Sequence, residues 1–291
     1  MNANRSLPNP LHPSRAFSYK TYSYPLGRRR GFVTAILCLV ATVCAVTTPL
    51  GARAQEVTTK IIGGEYYPSS AGGKVAFIDT PEYTCSGVLV GEREVLTAAH
   101  CVVGGPDATG YSVFVGGAWR QVESAWYHTR YDPEKPVVRM ARFDLGMLIL
   151  TEPVVGTAPF PVLRKRKLSA GSTIFIAGYG ANERSDQPNR TFVDNFKIGA
   201  ARIAEVGAGV FFGDHRAYRS SPCSGDSGGP ATFFYRKNSL AVAGVLSAGT
   251  NRVVGNRCRL RSSGSFIQVD LQSRSSREFL AYFPGVQYAT R

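Results

Sequence analysis

From Ile61 onward the chain is written in short apolar runs of four to seven residues, bounded by glycine, proline and other turn formers. The clearest are Val75–Ile78, Ser86–Val90, Tyr111–Val115 and Leu145–Leu150, then Ser172–Gly178, Ala231–Tyr235, Leu240–Leu246 and Ser265–Val269. Runs this short, without helical periodicity, read as strands. Strands spaced so regularly close into barrels or stack as sandwiches. The sequence therefore predicts an all-β protein. Residues 152–168, with Pro153, Gly156, Pro159, Pro161 and the run Arg164–Lys167, interrupt the pattern as an interdomain linker would. Only the tail, around Arg277–Phe283, has the spacing of a closing helix.

The first sixty residues differ in kind. They hold eight basic residues and one acid, a large share of the formal net charge of +14 over 291 residues. Arg28-Arg29-Arg30 precede the apolar stretch 31–50, and Ala52-Arg53-Ala54 supplies a small-x-small cleavage pattern. That order predicts a secretory signal over 1–54 with an unusually long basic lead-in, cleaved after Ala54. The threonines and Pro49 in the stretch make it a poor spanning helix, so no stable membrane association is expected. The protein is expected to be secreted, to the extracellular or periplasmic space. The Arg164–Lys167 cluster reads as solvated linker rather than a nucleic-acid site.

Cys38 and Cys44 leave with such a signal, and Cys85, Cys101, Cys223 and Cys258 remain. Four cysteines in an exported chain predict two disulfides with three connectivities. Pairing neighbours, Cys85–Cys101 and Cys223–Cys258, would staple one loop beside His100 and another beside Ser227. No C-x-x-C pair or histidine cluster suggests a metal site, and no cofactor is expected.

Two segments carry reactive chemistry. Gly225-Asp226-Ser227-Gly228-Gly229-Pro230 offers a hydroxyl on a glycine-rich turn, and Thr97-Ala98-Ala99-His100-Cys101 offers an imidazole. A serine hydroxyl is a poor nucleophile at neutral pH unless a neighbouring base takes its proton. The base in turn needs a carboxylate to fix its tautomer, and Asp144, ahead of the strand-like Leu145–Leu150, is the candidate. Asp107 and Asp132 are weaker rivals, set in proline- and glycine-rich loop sequence.

With Ile61-Ile62-Gly63-Gly64 and Gly178-Tyr179-Gly180, these anchors resemble the trypsin/chymotrypsin family of serine endopeptidases over residues 61–270. The order His, Asp, Ser is that family's. The resemblance implies two antiparallel six-stranded β-barrels, at 61–160 and 161–291 with a short C-terminal helix, and an active site in the cleft between them. It makes His100, Asp144 and Ser227 the catalytic triad and gives the oxyanion hole to the N–H groups of Gly225 and Ser227. Ser247 matches the serine packed beside the catalytic aspartate.

The resemblance also implies activation. Gln55–Lys60 would be a pro-segment, and a cut after Lys60 would free the Ile61 ammonium to pair with Asp226. The pair raises the pKa of the amine, so activity is expected to fall at alkaline pH. Ser221 stands at the pocket floor, where trypsin-like members carry aspartate, with Gly249 and Gly264 as walls. An uncharged, roomy pocket predicts aromatic or bulky apolar residues before the scissile bond, and activation by a separate, trypsin-like protease. Protein or peptide substrates and a protein inhibitor are the expected partners. Two competing readings are a non-catalytic secreted binding protein using basic loops 164–167 and 252–261, and an esterase built on the same acyl transfer.

Overall fold

The computed structural model describes residues 73–103, 110–164, 168–180, 196–216, 218, 220–249, 252–254, 257–259 and 265–289, the two short segments at 252–259 by backbone alone. The proposed signal and pro-segment, Lys60, Ile61, Gly264 and the side chain of Cys258 lie outside the described residues.

Six strands make the first barrel: β1 (Val75–Asp79), β2 (Thr84–Leu89), β3 (Glu94–Thr97), β4 (Ser112–Val115), β5 (Ala118–Tyr127) and β6 (Gly146–Leu150). They close in the order β1-β2-β3-β6-β5-β4, every pair antiparallel. The β4–β5 hairpin shows how local sequence sets register. Gly116 and Gly117 both take positive φ, 65° and 80°, which a tight two-residue turn requires, and Val115 then faces Ala118 across the ladder.

The second barrel comprises β7 (Thr173–Gly178), β8 (Lys197–Val206), β9 (Val210–Asp214), β10 (Pro230–Arg236), β11 (Ser239–Gly249) and β14 (Ser265–Asp270), closed in the order β10-β11-β14-β9-β8-β7. Between β11 and β14, β12 (Arg252–Val254) and β13 (Arg257–Arg259) form a separate two-stranded ribbon. The expected all-β, two-barrel architecture is the one observed. A helical turn not expected from the sequence, α1 (Val137–Ala141), precedes β6.

The closing helix, α2, runs from Arg274 to Leu280, three residues earlier than the sequence pattern placed it. Its start is fixed by a cap: Ser273 Oγ accepts the Ser276 N–H at 3.1 Å. Phe279, Leu280, Phe283 and Val286 join the cluster that holds the first barrel's core, including Leu89, Leu96 and Leu148. The connecting segment is irregular but pinned. Phe160 N–H donates to Leu89, Val162 N–H to Gln287, and Leu163 N–H to Val242, at 2.8–2.9 Å. The tail returns to the first barrel through Gln287 N–H, 2.7 Å from the Val90 carbonyl.

Candidate active site

His100 sits in a single 3-10 turn, Ala99–Cys101, immediately after β3. The turn is held from two sides. Cys101 is disulfide-bonded to Cys85 on β2, and the Tyr83 hydroxyl donates to the His100 carbonyl. Asp144 follows α1 and directly precedes β6, so β3 and β6, which are paired, carry base and carboxylate to the same end of the barrel.

Asp144 is fully buried. Its Oδ1 accepts the His100 backbone N–H at 2.9 Å. Its Oδ2 takes the His100 Nδ1 at 2.8 Å and the Ser247 hydroxyl at 2.6 Å. A buried carboxylate is tolerated only when donors satisfy it, and here three converge. An ionised carboxylate can only accept, so the His100 proton resides on Nδ1 and Nε2 is left as the basic atom. Burial works to lower the His100 pKa, but the Asp144 charge and hydrogen bond outweigh it, and the pKa ends above its ordinary value.

Ser227 comes from the second barrel, in the turn leading into β10. Its carbonyl accepts the Ser86 N–H from β2 at 2.7 Å and lies 3.8 Å from Cys101 Sγ. That sulfur is oxidised, so the contact is a proximity and not a hydrogen bond. It seats Ser227 against the turn that carries His100. The preceding Gly225 has φ of 90°, and its carbonyl accepts the Ser86 hydroxyl at 2.8 Å. Gly228, at φ 80°, has no room for a side chain, because a Cβ would meet Thr97 Oγ1 at 2.1 Å and the Ser86 carbonyl at 2.3 Å. The glycine turn is therefore pressed into the first barrel.

Asp226 is buried beneath this turn. Its Oδ1 accepts the Gly180 N–H and its Oδ2 the Cys223 N–H, both at 2.8 Å. Burial pushes its carboxyl up to about 7, against those two N–H groups and the positive charge of Lys197, which pull it down. Cys223 is itself disulfide-bonded.

Beside Ser227 lies a cavity of about 150 Å³ lined by Pro222, Cys223, Ser224, Ser227, Leu246, Ala248 and Gly249. None of these side chains is charged. Gly249, expected as a pocket wall, is among the residues lining this cavity. Ser221, expected at the pocket floor, is 1% exposed and is not among the lining residues. Two polar contributors escaped the sequence reading. Ser86 bridges the two barrels, accepting the Tyr179 N–H at 2.9 Å while donating to Gly225. Lys197 is wholly buried at the start of β8. Nothing in either residue's immediate neighbours in sequence signals these positions. The four cysteines, by contrast, were legible as a set. The Cys85 and Cys101 sulfurs also lie within 4.8 Å of a His100 ring nitrogen. The disulfide between them removes the thiolates that a metal would need.

The family model for trypsin matches residues 61–270. The chain belongs to the trypsin family. Among curated relatives of this trypsin-family chain, trypsin iota of Drosophila melanogaster is 26% identical over 237 residues, covering 74% of the chain and 88% of the relative. Serine protease 56 of Homo sapiens is 29% identical, covering 65% of the chain and 34% of the relative. Clotting factor C of Tachypleus tridentatus is 24% identical and covers 67% of the chain, which spans only 22% of that longer protein. No helix among the described residues is long and apolar enough to cross a membrane.

Proposed function

We propose that this protein is a secreted serine endopeptidase that cleaves peptide bonds through a Ser227 acyl-enzyme. The observation that carries the reading is the Asp144–His100 hydrogen bond of 2.8 Å, with Ser247 on the same carboxylate oxygen and Ser227 seated beside the His100 turn. In this reading His100 Nε2 takes the Ser227 proton as the hydroxyl attacks the scissile carbonyl, and returns it to the leaving amine. Asp144 stabilises the imidazolium formed in between. The N–H groups of Gly225 and Ser227 receive the developing oxyanion, each such donor being worth about 3 kcal/mol.

The residue before the scissile bond is aromatic or bulky and apolar. The cavity beside Ser227, about 150 Å³, has room for an aromatic ring and carries no charge to pair with lysine or arginine. The same lack of charge makes the Lys60–Ile61 bond a poor substrate for the enzyme itself, so a trypsin-like protease makes the activating cut. Substrates are proteins or peptides, and a protein inhibitor docked in the same cleft is the expected regulator.

The test is hydrolysis of a peptide library, varied at the residue before the scissile bond, by chains starting at Gln55 and at Ile61. Turnover by the Ile61 form with aromatic or leucine preference, abolished by Ser227→Ala, is expected. Robust cleavage after lysine or arginine would overturn the pocket assignment, and turnover surviving Ser227→Ala would overturn the nucleophile.

A further inference from the structure

Where the turn after β5 meets α2, two cavities lie side by side and share no lining residue with the cavity beside Ser227. One, of about 250 Å³, is walled by rings: Trp126, Tyr127, His128, Phe279, Tyr282 and Phe283. The other, of about 590 Å³, is lined by Phe143 and by Arg130, Arg142 and Arg274. Arg130, Ser275 and Glu278 border both cavities, so the two adjoin. A chain of ring contacts links their linings, from Phe143 to His128 at 5.1 Å, on to Phe279 at 5.7 Å and to Phe283 at 5.2 Å. His128 takes part as a neutral ring. Burial, and then the Arg130 charge, hold its pKa below the ordinary value. Its Nδ1 accepts the Arg130 N–H at 3.1 Å, and its Nε2 lies 2.8 Å from Ser275 Oγ.

The charges around the larger cavity are unevenly matched. Arg274 Nε donates to Glu278 Oε1 at 2.8 Å, and Asp270 Oδ1 accepts the Gln272 N–H at 2.9 Å. Burial also raises the Asp270 pKa, which moves that carboxyl toward its neutral form. Arg130 has no carboxylate partner among the described residues, and its guanidinium lies over the Phe143 ring, 4.1 Å from the centroid. Arg142 has none either, and its Nε is buried without an acceptor. A guanidinium can only donate, so a buried N–H of this kind carries a cost that a bound oxyanion removes. The planar fork of arginine suits such a group, because paired N–H donors meet paired oxygens.

We propose that the adjoining cavities form a second binding site, for an aromatic ring that carries an oxyanion as a sulfate or phosphate ester. The ring enters the groove beside Trp126 and Tyr282, and the oxyanion meets Arg130 and Arg142. Charge complementarity selects this occupant. The two unmatched groups are both cationic, and they stand at the edge of an aromatic groove. A wholly apolar ligand leaves the Arg142 Nε as it is, and a bare inorganic ion leaves the rings in water. Concave sites that hold small ligands have this make-up, apolar walls with a few placed polar groups. The site does not depend on Ser227 acting as the nucleophile.

The experiment is calorimetric titration of the chain from Gln55 with phenyl phosphate and phenyl sulfate, beside phenol, inorganic phosphate and inorganic sulfate. At least one ester is expected to bind about tenfold or more tighter than phenol and than its own inorganic ion, since it alone fills both cavities. The tighter ester names the anion. Arg130→Ala and Arg142→Ala should each weaken that ester by about tenfold, the loss of a charge-assisted hydrogen bond. Tyr282→Ala should bring it toward the affinity of the inorganic ion. Arg130 and Tyr282 are exposed, so their variants keep the test alive if Arg142→Ala does not fold. Esters that bind no tighter than the inorganic ions overturn the proposal, as does hexyl phosphate binding as tightly as phenyl phosphate. Binding that neither arginine variant moves belongs elsewhere, at the cavity beside Ser227 for instance, and overturns it too.

Discussion

Three donors converge on the Asp144 carboxylate, and they leave His100 one orientation and one tautomer. Asp144→Asn keeps the shape but offers an amide in place of an acceptor, so the ring flips its proton to the wrong nitrogen. A loss of about 10⁴-fold in kcat is expected. The pH profile adds a sign. His100 works as a base only when neutral, and Asp144 holds its pKa above the ordinary histidine value. Activity of the unmodified protein should therefore fall as pH drops through that raised pKa. In Asp144→Asn burial is left to dominate, and the acid limb should move to lower pH. A pH–rate series on both forms measures the shift, and an unmoved limb would assign it to another group. The His100–Asp144 pair was legible in the sequence because each residue lies in a short motif whose neighbours repeat the message. Ser86 was not, since its role comes from Gly225 and Tyr179, which the second barrel brings against it.

At the scale of elements, the strands read correctly from sequence include three that are almost wholly buried. β1, β2 and β6 are buried on nearly every residue. The sequence did not disclose β3 and β9, which are only four and five residues long, nor β5, whose run AWRQVESAWY is half-exposed along its whole length, nor β8, where glycine and alanines dilute the alternation. The last two are specified by their partners: β5 by the Gly116-Gly117 turn and pairing with β6, β8 by β7 and β9. The staple between β2 and the His100 turn gives this scale its prediction. Cys85 and Cys101 are 16 residues apart, and a loop of that size is worth about 3 kcal/mol to the folded state. Replacing both by alanine should lower the melting temperature by several degrees and reduce kcat more than it raises KM, because the loosened turn carries the base. Equal melting temperatures with and without reductant in the native protein would contradict this.

At the scale of the whole molecule, the last residues matter more to the first barrel than their place in the chain suggests. Phe283 and Val286 are buried against its core, and the Gln287 backbone bonds to Val90 on one side and receives Val162 on the other. Truncation after Tyr282 removes both side chains, each worth about 1.5–3 kcal/mol, and should lower the melting temperature by roughly 10 °C. A melting temperature unchanged by this truncation would show the strap to be ornamental. The strap also orders events during synthesis. A ribosome delivers His100 and Asp144 long before the tail that completes their barrel, and domains fold as units as they emerge. The half of the chain bearing His100 and Asp144 cannot reach its final packing until residues 283–287 have emerged. A nascent chain thus carries His100 and Asp144 in an unfinished barrel until its distal strap has left the ribosome.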